Sequence, residues 1–261
     1  MENNSVLPES HKVKQKIRVT AVIIAVVLTA GVAGLLAGCT KVQGKAGLSN
    51  SVNLDGTDYI LQPNIQINFD GFDNLSEGLS ELCEKVGTVG NADIYRIRDL
   101  GQDDWIFVDN NSMLSSNAPY GGVYLSSAVR METVADFKPD YIDIYYLTPP
   151  TSEQSGAGIR IVSLDDSEII GKIASAIDNG KPVSSEKQAE VTKAMINGTN
   201  GFWTCRLEFL SESYPNLVYR LEYIESVNRE FYVGCYDEKN SYKIIEIDNT
   251  LHECLLSLPV E

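Results

Sequence analysis

Paired acids are the most frequent reactive groupings in this chain: Asp70 and Asp73 in FDGFDN, Asp103 and Asp104 in GQDDW, and Asp165 and Asp166 in SLDDSE. Two carboxylates can hydrolyse a glycoside, one as general acid and the other as base or nucleophile, and they need not be adjacent in sequence. Each pair also has the composition of a turn or a helix cap, where Asp accepts from nearby backbone N–H groups. Histidine is scarce. Apart from His11 near the N-terminus there is only His252, in TLHECLLSLPV, so a Ser-His-Asp or Cys-His hydrolase would have to use it as the base. No run of His, Cys and acidic residues has zinc-site spacing, and FDGFDN lacks the alternating oxygens of a calcium loop. GAGIR and NAPYGG lack phosphate-loop spacing. No cofactor and no metal is expected.

Five cysteines are present, and Cys83, Cys205, Cys235 and Cys254 lie in apolar alternation. In a simple meander Cys205 and Cys235 would sit two strands apart, roughly 9–10 Å, which is too far for a bond. Buried free thiols are the expectation, and if any pair forms it is Cys235 with Cys254. Thirteen tyrosines include Tyr219, Tyr223, Tyr232 and Tyr236. On a wet sheet face they would stack on sugar rings or bind a protein; in a dry one they pack across strands.

Cys39 has different surroundings. The basic cluster HKVKQKIR precedes VTAVIIAVVLTAGVAGLLAG, Val19 to Gly38, twenty positions without a charged side chain. A helix of that length matches a hydrocarbon core of about 30 Å. Positive charge ahead of the run places the N-terminus inside and everything after Cys39 outside. The run ends Leu36-Ala37-Gly38-Cys39, which resembles, position by position, the lipobox of bacterial lipoproteins. The resemblance implies cleavage after Gly38 and a diacylglycerol thioether on Cys39, with residues 1–38 as signal peptide. Two acyl chains supply an anchor that one chain cannot. The alternative is an uncleaved single-pass anchor, since the basic region is long for such a leader.

Other elements position the remaining candidates. TKVQGKAGLSNSVNLDG, within residues 39–56, reads as a flexible tether. A mostly-β region over 57–147 follows, with Pro63 confining YILQPNIQINF to an edge or a strand start. In that region LSEGLSELCEKV spaces Leu75, Leu79, Leu82, Cys83 and Val86 as a helix, and DIYRI, DWIFVD, GGVYLSS and YIDIYYL are strands. Residues 148–158 read as a linker or loop, and 159–261 as an α+β domain. There Ser163 is the expected N-cap of a helix burying Ile169, Ile170, Ile173, Ala176 and Ile177, and a second helix covers SSEKQAEVTKAMING. Four strands close the chain. Trp203, Cys205, Leu207 and Phe209 oppose Thr204, Arg206 and Glu208, while Leu217, Tyr219, Leu221 and Tyr223 oppose Arg220 and Glu222. The expected fold is α+β: an antiparallel β-meander, dry on one face and covered there by the two helices, preceded by the mostly-β region. Residues 57–147 either form a separate domain or extend that sheet.

Charge narrows the partners. The net charge is -15, and four basic against two acidic residues in the first 38 leave -17 for residues 39–261. Such a body repels nucleic acid. The expectation is a lipid-anchored binding or accessory module for an envelope protein, a peptide or a cell-wall glycan, reaching the membrane only through its anchor. The alternatives are an envelope hydrolase with a carboxylate pair and a small solute-binding lipoprotein.

Overall fold

Apolar residues alternate with period two over short runs that Asp, Asn and Gly interrupt, and such runs favour strands. The computed structural model describes residues 50–72, 75–89, 92–100, 103–109, 121–147, 158–197 and 202–257. In it these runs form two antiparallel sheets accompanied by four α-helices among the described residues. The fold class is α+β, dominated by strands. Residues 1–38, Cys39, the tether as far as Ser49 and the connection 148–157 lie outside the described residues.

The first sheet contains β1 (Ser51–Leu54), β2 (Thr57–Leu61), β4 (Cys83–Val89), β5 (Ala92–Ile97), β6 (Trp105–Asp109) and β7 (Gly121–Ser126), in the order β1-β2-β7-β6-β5-β4. Its first hairpin corrects the expectation of a tether running to Gly56, because the chain is folded from Ser51 onward. Asp55 and Gly56, with φ of 51° and 87°, make the two-residue turn whose twist suits paired strands. Val52 and Leu54 then join Tyr59, Leu61, Ile94, Ile106, Val108 and Tyr124 in a core of their own. The sheet curls around that core: a Cβ placed on Gly87 of β4 would lie 4.0 Å from Leu54 of β1, although these strands are opposite edges. Its other face, with Trp105, Phe107, Val123 and Leu125, belongs to the main core.

The expected helix over LSEGLSELCEKV is shorter than its spacing suggests. Helix α1 (Leu75–Leu82) stops where Cys83 begins β4, since residues 83–89 gain an antiparallel partner in β5, with a bulge at Val86.

The second sheet contains the expected meander, β11 (Phe202–Leu210), β12 (Leu217–Ser226), β13 (Phe231–Tyr236) and β14 (Tyr242–Ile247). Strands β8 (Tyr141–Leu147) and β9 (Gly158–Leu164) extend it beyond β11, and β10 (Lys181–Pro182) beyond β14. The short β3 (Ile65–Ile67) pairs with Leu217–Tyr219, ahead of the stretch of β12 that pairs with β13. Residues 57–147 thus supply β3 and β8 to the second sheet and β2 and β4–β7 to the first. Packing agrees, with Trp105 and Phe137 meeting Tyr214 at ring distances of 5.5 and 5.4 Å.

Both expected helices cover the meander, but from opposite faces. Helix α2 (Ser167–Asp178) buries Ile170, Ile173, Ala174 and Ile177 on the face of Cys205, Leu207, Phe209 and Val233, beside α4 (Thr250–Ser257) with Leu251. Helix α3 (Ser185–Asn197) lays Val191 and Met195 on Ile224, Tyr232 and Ile244 of the other face. The supposedly wet face carries an apolar stripe of its own, which is what draws α3 there. The α2 N-cap is Asp166, whose Oδ1 accepts from Glu168 N and Ile169 N at 2.9 and 3.2 Å; Ser163 is held in β9 opposite Asp143.

Candidate functional site

Pro63 offers no N–H to a ladder, so the chain leaves the first sheet after β2 and enters the second at β3. Asn64 secures this crossing. Its side chain donates to Tyr236 O and accepts from Tyr236 N, both at 2.8 Å, imitating a strand pairing, while its own carbonyl accepts from Arg220 N at 2.7 Å. A cleft of about 700 Å³ opens beside the crossing, bounded also by residues 125–132, which run from the end of β7 into the loop beyond it, and by the turn after β13. That volume lies in the range of small-ligand sites.

Buried Leu61, Ile65 and Leu125 give the cleft an apolar lining, and exposed Arg130, Glu132 and Glu238 a charged one. Tyr219 and Tyr236 also line it. Burial raises the Tyr219 phenol above its ordinary value, so it stays a neutral group at physiological pH. Two of the three lining carboxylates are already engaged. Glu132 Oε2 lies 2.6 Å from Arg130 Nη2. Asp237 Oδ1 accepts from Lys239 N and Ser241 N at 3.0 and 2.9 Å, and its Oδ2 is 3.5 Å from Lys243 Nζ. Burial acts upward on Asp237, but those amides and the Lys243 charge hold it below the usual carboxylate range. A general acid needs the opposite shift. The lining of the cleft is of mixed apolar and polar character.

Among the described acids of the pairs singled out in the sequence, Asp166 caps a helix and Asp103 holds an ion pair. Asp70 N donates to Asn68 Oδ1 at 3.0 Å, and Asp73 lies outside the described residues. Asp103 Oδ1 meets Arg96 Nε at 2.7 Å and its carbonyl accepts from Tyr59 OH at 2.6 Å. The Asp104 carbonyl accepts from Ser126 N at 2.7 Å, Asp165 is exposed and Asp166 caps α2. The described acids lie in three separate segments of the chain. The carboxylates that sequence alternation missed are Glu208 and Glu222, assigned to solvent yet drawn into the sheet face; the apolar residues Ile224, Tyr232 and Ile244 on that face were the available signal.

His252 Nδ1 lies 3.1 Å from Glu225 Oε2, and the same oxygen accepts from Tyr223 OH at 3.1 Å. A carboxylate orienting an imidazole is part of a hydrolytic triad. Among the described residues no Ser, Thr or Cys side chain hydrogen-bonds His252, which instead packs on Phe231 at a ring distance of 5.1 Å. Cys83, Cys205, Cys235 and Cys254 are free thiols, so the Cys235–Cys254 bridge is not made: one residue lies in β13 and the other in α4. Burial pushes the Cys83 thiol up to about 12 and that of Cys235 to about 11, so neither is a thiolate at neutral pH. Tyr223 and Tyr232 are buried, packing within the sheet layers instead of forming an open tyrosine platform.

Leu36, Ala37, Gly38 and Cys39 lie outside the described residues. Among the described residues no helix is long and apolar enough to cross a membrane, and no group of three or more His, Cys, Asp or Glu gathers to hold a metal ion. No protein-family model, no curated protein and no solved structure matches the chain.

Proposed function

We propose that this chain is a lipid-anchored protein of the outer face of a bacterial cytoplasmic membrane, and that its body binds an envelope protein, a peptide or a cell-wall glycan in the cleft between the two sheets. The observation that carries the reading is Leu36-Ala37-Gly38-Cys39 at the end of a twenty-residue uncharged run. Eleven residues, Thr40–Asn50, separate Cys39 from the first strand, a reach of at most roughly 40 Å. The body therefore works close to the lipid surface, where its own negative charge keeps it from lying flat on anionic headgroups. Binding is favoured over hydrolysis at the cleft because Glu132 and Asp237 are spent on Arg130 and on turn amides, which leaves Glu238 without the second free carboxylate that a paired-acid hydrolase needs.

Radioactive palmitate is expected to enter the full-length protein and to vanish in Cys39→Ser; label that persists in the variant defeats the lipid anchor. Crosslinking from intact membranes through a photoreactive residue at Glu238 is expected to trap a partner that the same residue at Glu84, on the far edge strand β4, does not.

A further inference from the structure

We infer that the Arg206 guanidinium, seated between the Tyr145 ring and the buried Glu208 carboxylate, is a receptor for the carboxylate of a ligand. The register places the components on one face of the second sheet. Arg206 pairs across strands with Tyr145 and Glu222, and Glu208 with Asp143 and Arg220. Glu208 keeps only 3% of its side chain exposed, and its Oε1 lies 2.7 Å from Arg206 Nε and 2.6 Å from Arg220 Nη2. The N–H groups are too poorly aimed at that oxygen for a well-formed hydrogen bond, so the contact is an ion pair that leaves polar capacity over.

The two arginines differ in what remains free. Arg220 uses Nη2 on Glu208 and Nη1 on Gln66 Oε1, at 2.6 Å. Arg206 is held by Nε and by its flat face, 4.7 Å above the Tyr145 ring, and its Nη1 and Nη2 have no protein partner among the described residues. Yet only 23% of its side chain is exposed. A guanidinium fixed at Nε and on one face, with both terminal amino groups unpaired among the described residues, presents the planar fork that matches a carboxylate.

Charge balance favours one negative charge over two. Glu208 is shared by two guanidinia, so it leaves one positive charge uncompensated. Burial and the Arg220 charge hold Arg206 below its ordinary value, which an arriving anion would relieve. Burial raises the Glu222 carboxyl, while the hydrogen bond that Tyr242 OH donates to its Oε2, at 2.7 Å, acts the other way. Asp143 is taken by Arg160 Nη1 at 3.3 Å and by Tyr145 OH at 3.5 Å. Asp70 also acts on Arg206 through space. A singly charged carboxylate neutralises the excess of the Arg206–Glu208–Arg220 trio and meets less repulsion from Asp143 and Asp70 than a phosphate dianion does. This site shares no lining residue with the cleft and does not depend on the lipid anchor.

The test titrates the full-length chain in neutral detergent with N-acetylalanine, N-acetylalanine amide and inorganic phosphate by calorimetry. Saturable binding of the acid is expected, with none of the amide and weaker binding of phosphate. Arg206→Lys keeps the charge but loses the fork, and should weaken the acid about tenfold or more. Equal binding of acid and amide, tighter binding of phosphate, unchanged affinity in the variant, or no saturable binding of the acid would each overturn the assignment. The three-probe comparison on the parent chain stands even if the variant misfolds.

Discussion

Glu208 and Glu222 sit on the sheet face that strict alternation assigns to water, and both are withdrawn from it for different reasons. Glu208 is accepted into the sheet because Arg206 and Arg220 flank it, and a buried charge persists only when it is paired. Glu222 has no such partner on its oxygens. It receives a hydrogen bond from Tyr242 OH, and Gly234 opposite it leaves the room that Tyr242 needs, since a Cβ there would collide with the phenol oxygen. Burial therefore raises the Glu222 carboxyl above its ordinary value of 4.5. The native state then holds a proton that the unfolded chain has already released, so this residue's contribution is fully present below the unfolded value and is lost as pH rises through the folded one. Glu222→Gln keeps an acceptor for Tyr242 without the charge. Its urea midpoint should exceed the parent's at pH 7 and converge with it at pH 4; parallel profiles across that window would refute the assignment.

At the scale of elements, short polar punctuation decides where strands begin and helices start. Asp55-Gly56 turns a stretch that looks like tether into a hairpin, because both residues take positive φ and glycine does so without strain. Nothing lies within 4 Å of a Cβ built on Gly56, so Gly56→Ala tests the backbone alone. The variant should lose about 1–2 kcal/mol of stability in urea unfolding, and no loss would mean that the turn does not anchor β1. Asp166 acts similarly for α2. The capping oxygen that wins is the one nearest the first free N–H groups, and Ser163, three residues earlier, is spent on β9.

For the whole molecule, the shared core predicts one cooperative unit. The chain has two tryptophans, Trp105 in the first sheet and Trp203 in the second, and both belong to the same main core. The single-tryptophan variants Trp105→Phe and Trp203→Phe should therefore give fluorescence transitions that coincide with far-ultraviolet circular dichroism in each protein. Separated midpoints would mean that the sheets unfold independently.

Local residue patterns were sufficient for the α+β class, for the meander from Phe202 to Ile247, and for the inward faces of β11 and β12, because period-two alternation and turn residues act between near neighbours. The leader reading rests on equally local spelling, a charge-free run closed by four residues. Tertiary structure alone decided that β3 and β8 cross into the second sheet, that α2 and α3 take opposite faces of it, and that Glu208 is buried between two arginines. The cleft beside Asn64 and the half-dry Arg206 follow from those choices. Each depends on which distant strand or side chain is at hand to complete a ladder or neutralise a charge, and the residue types along one segment do not encode its distant partner.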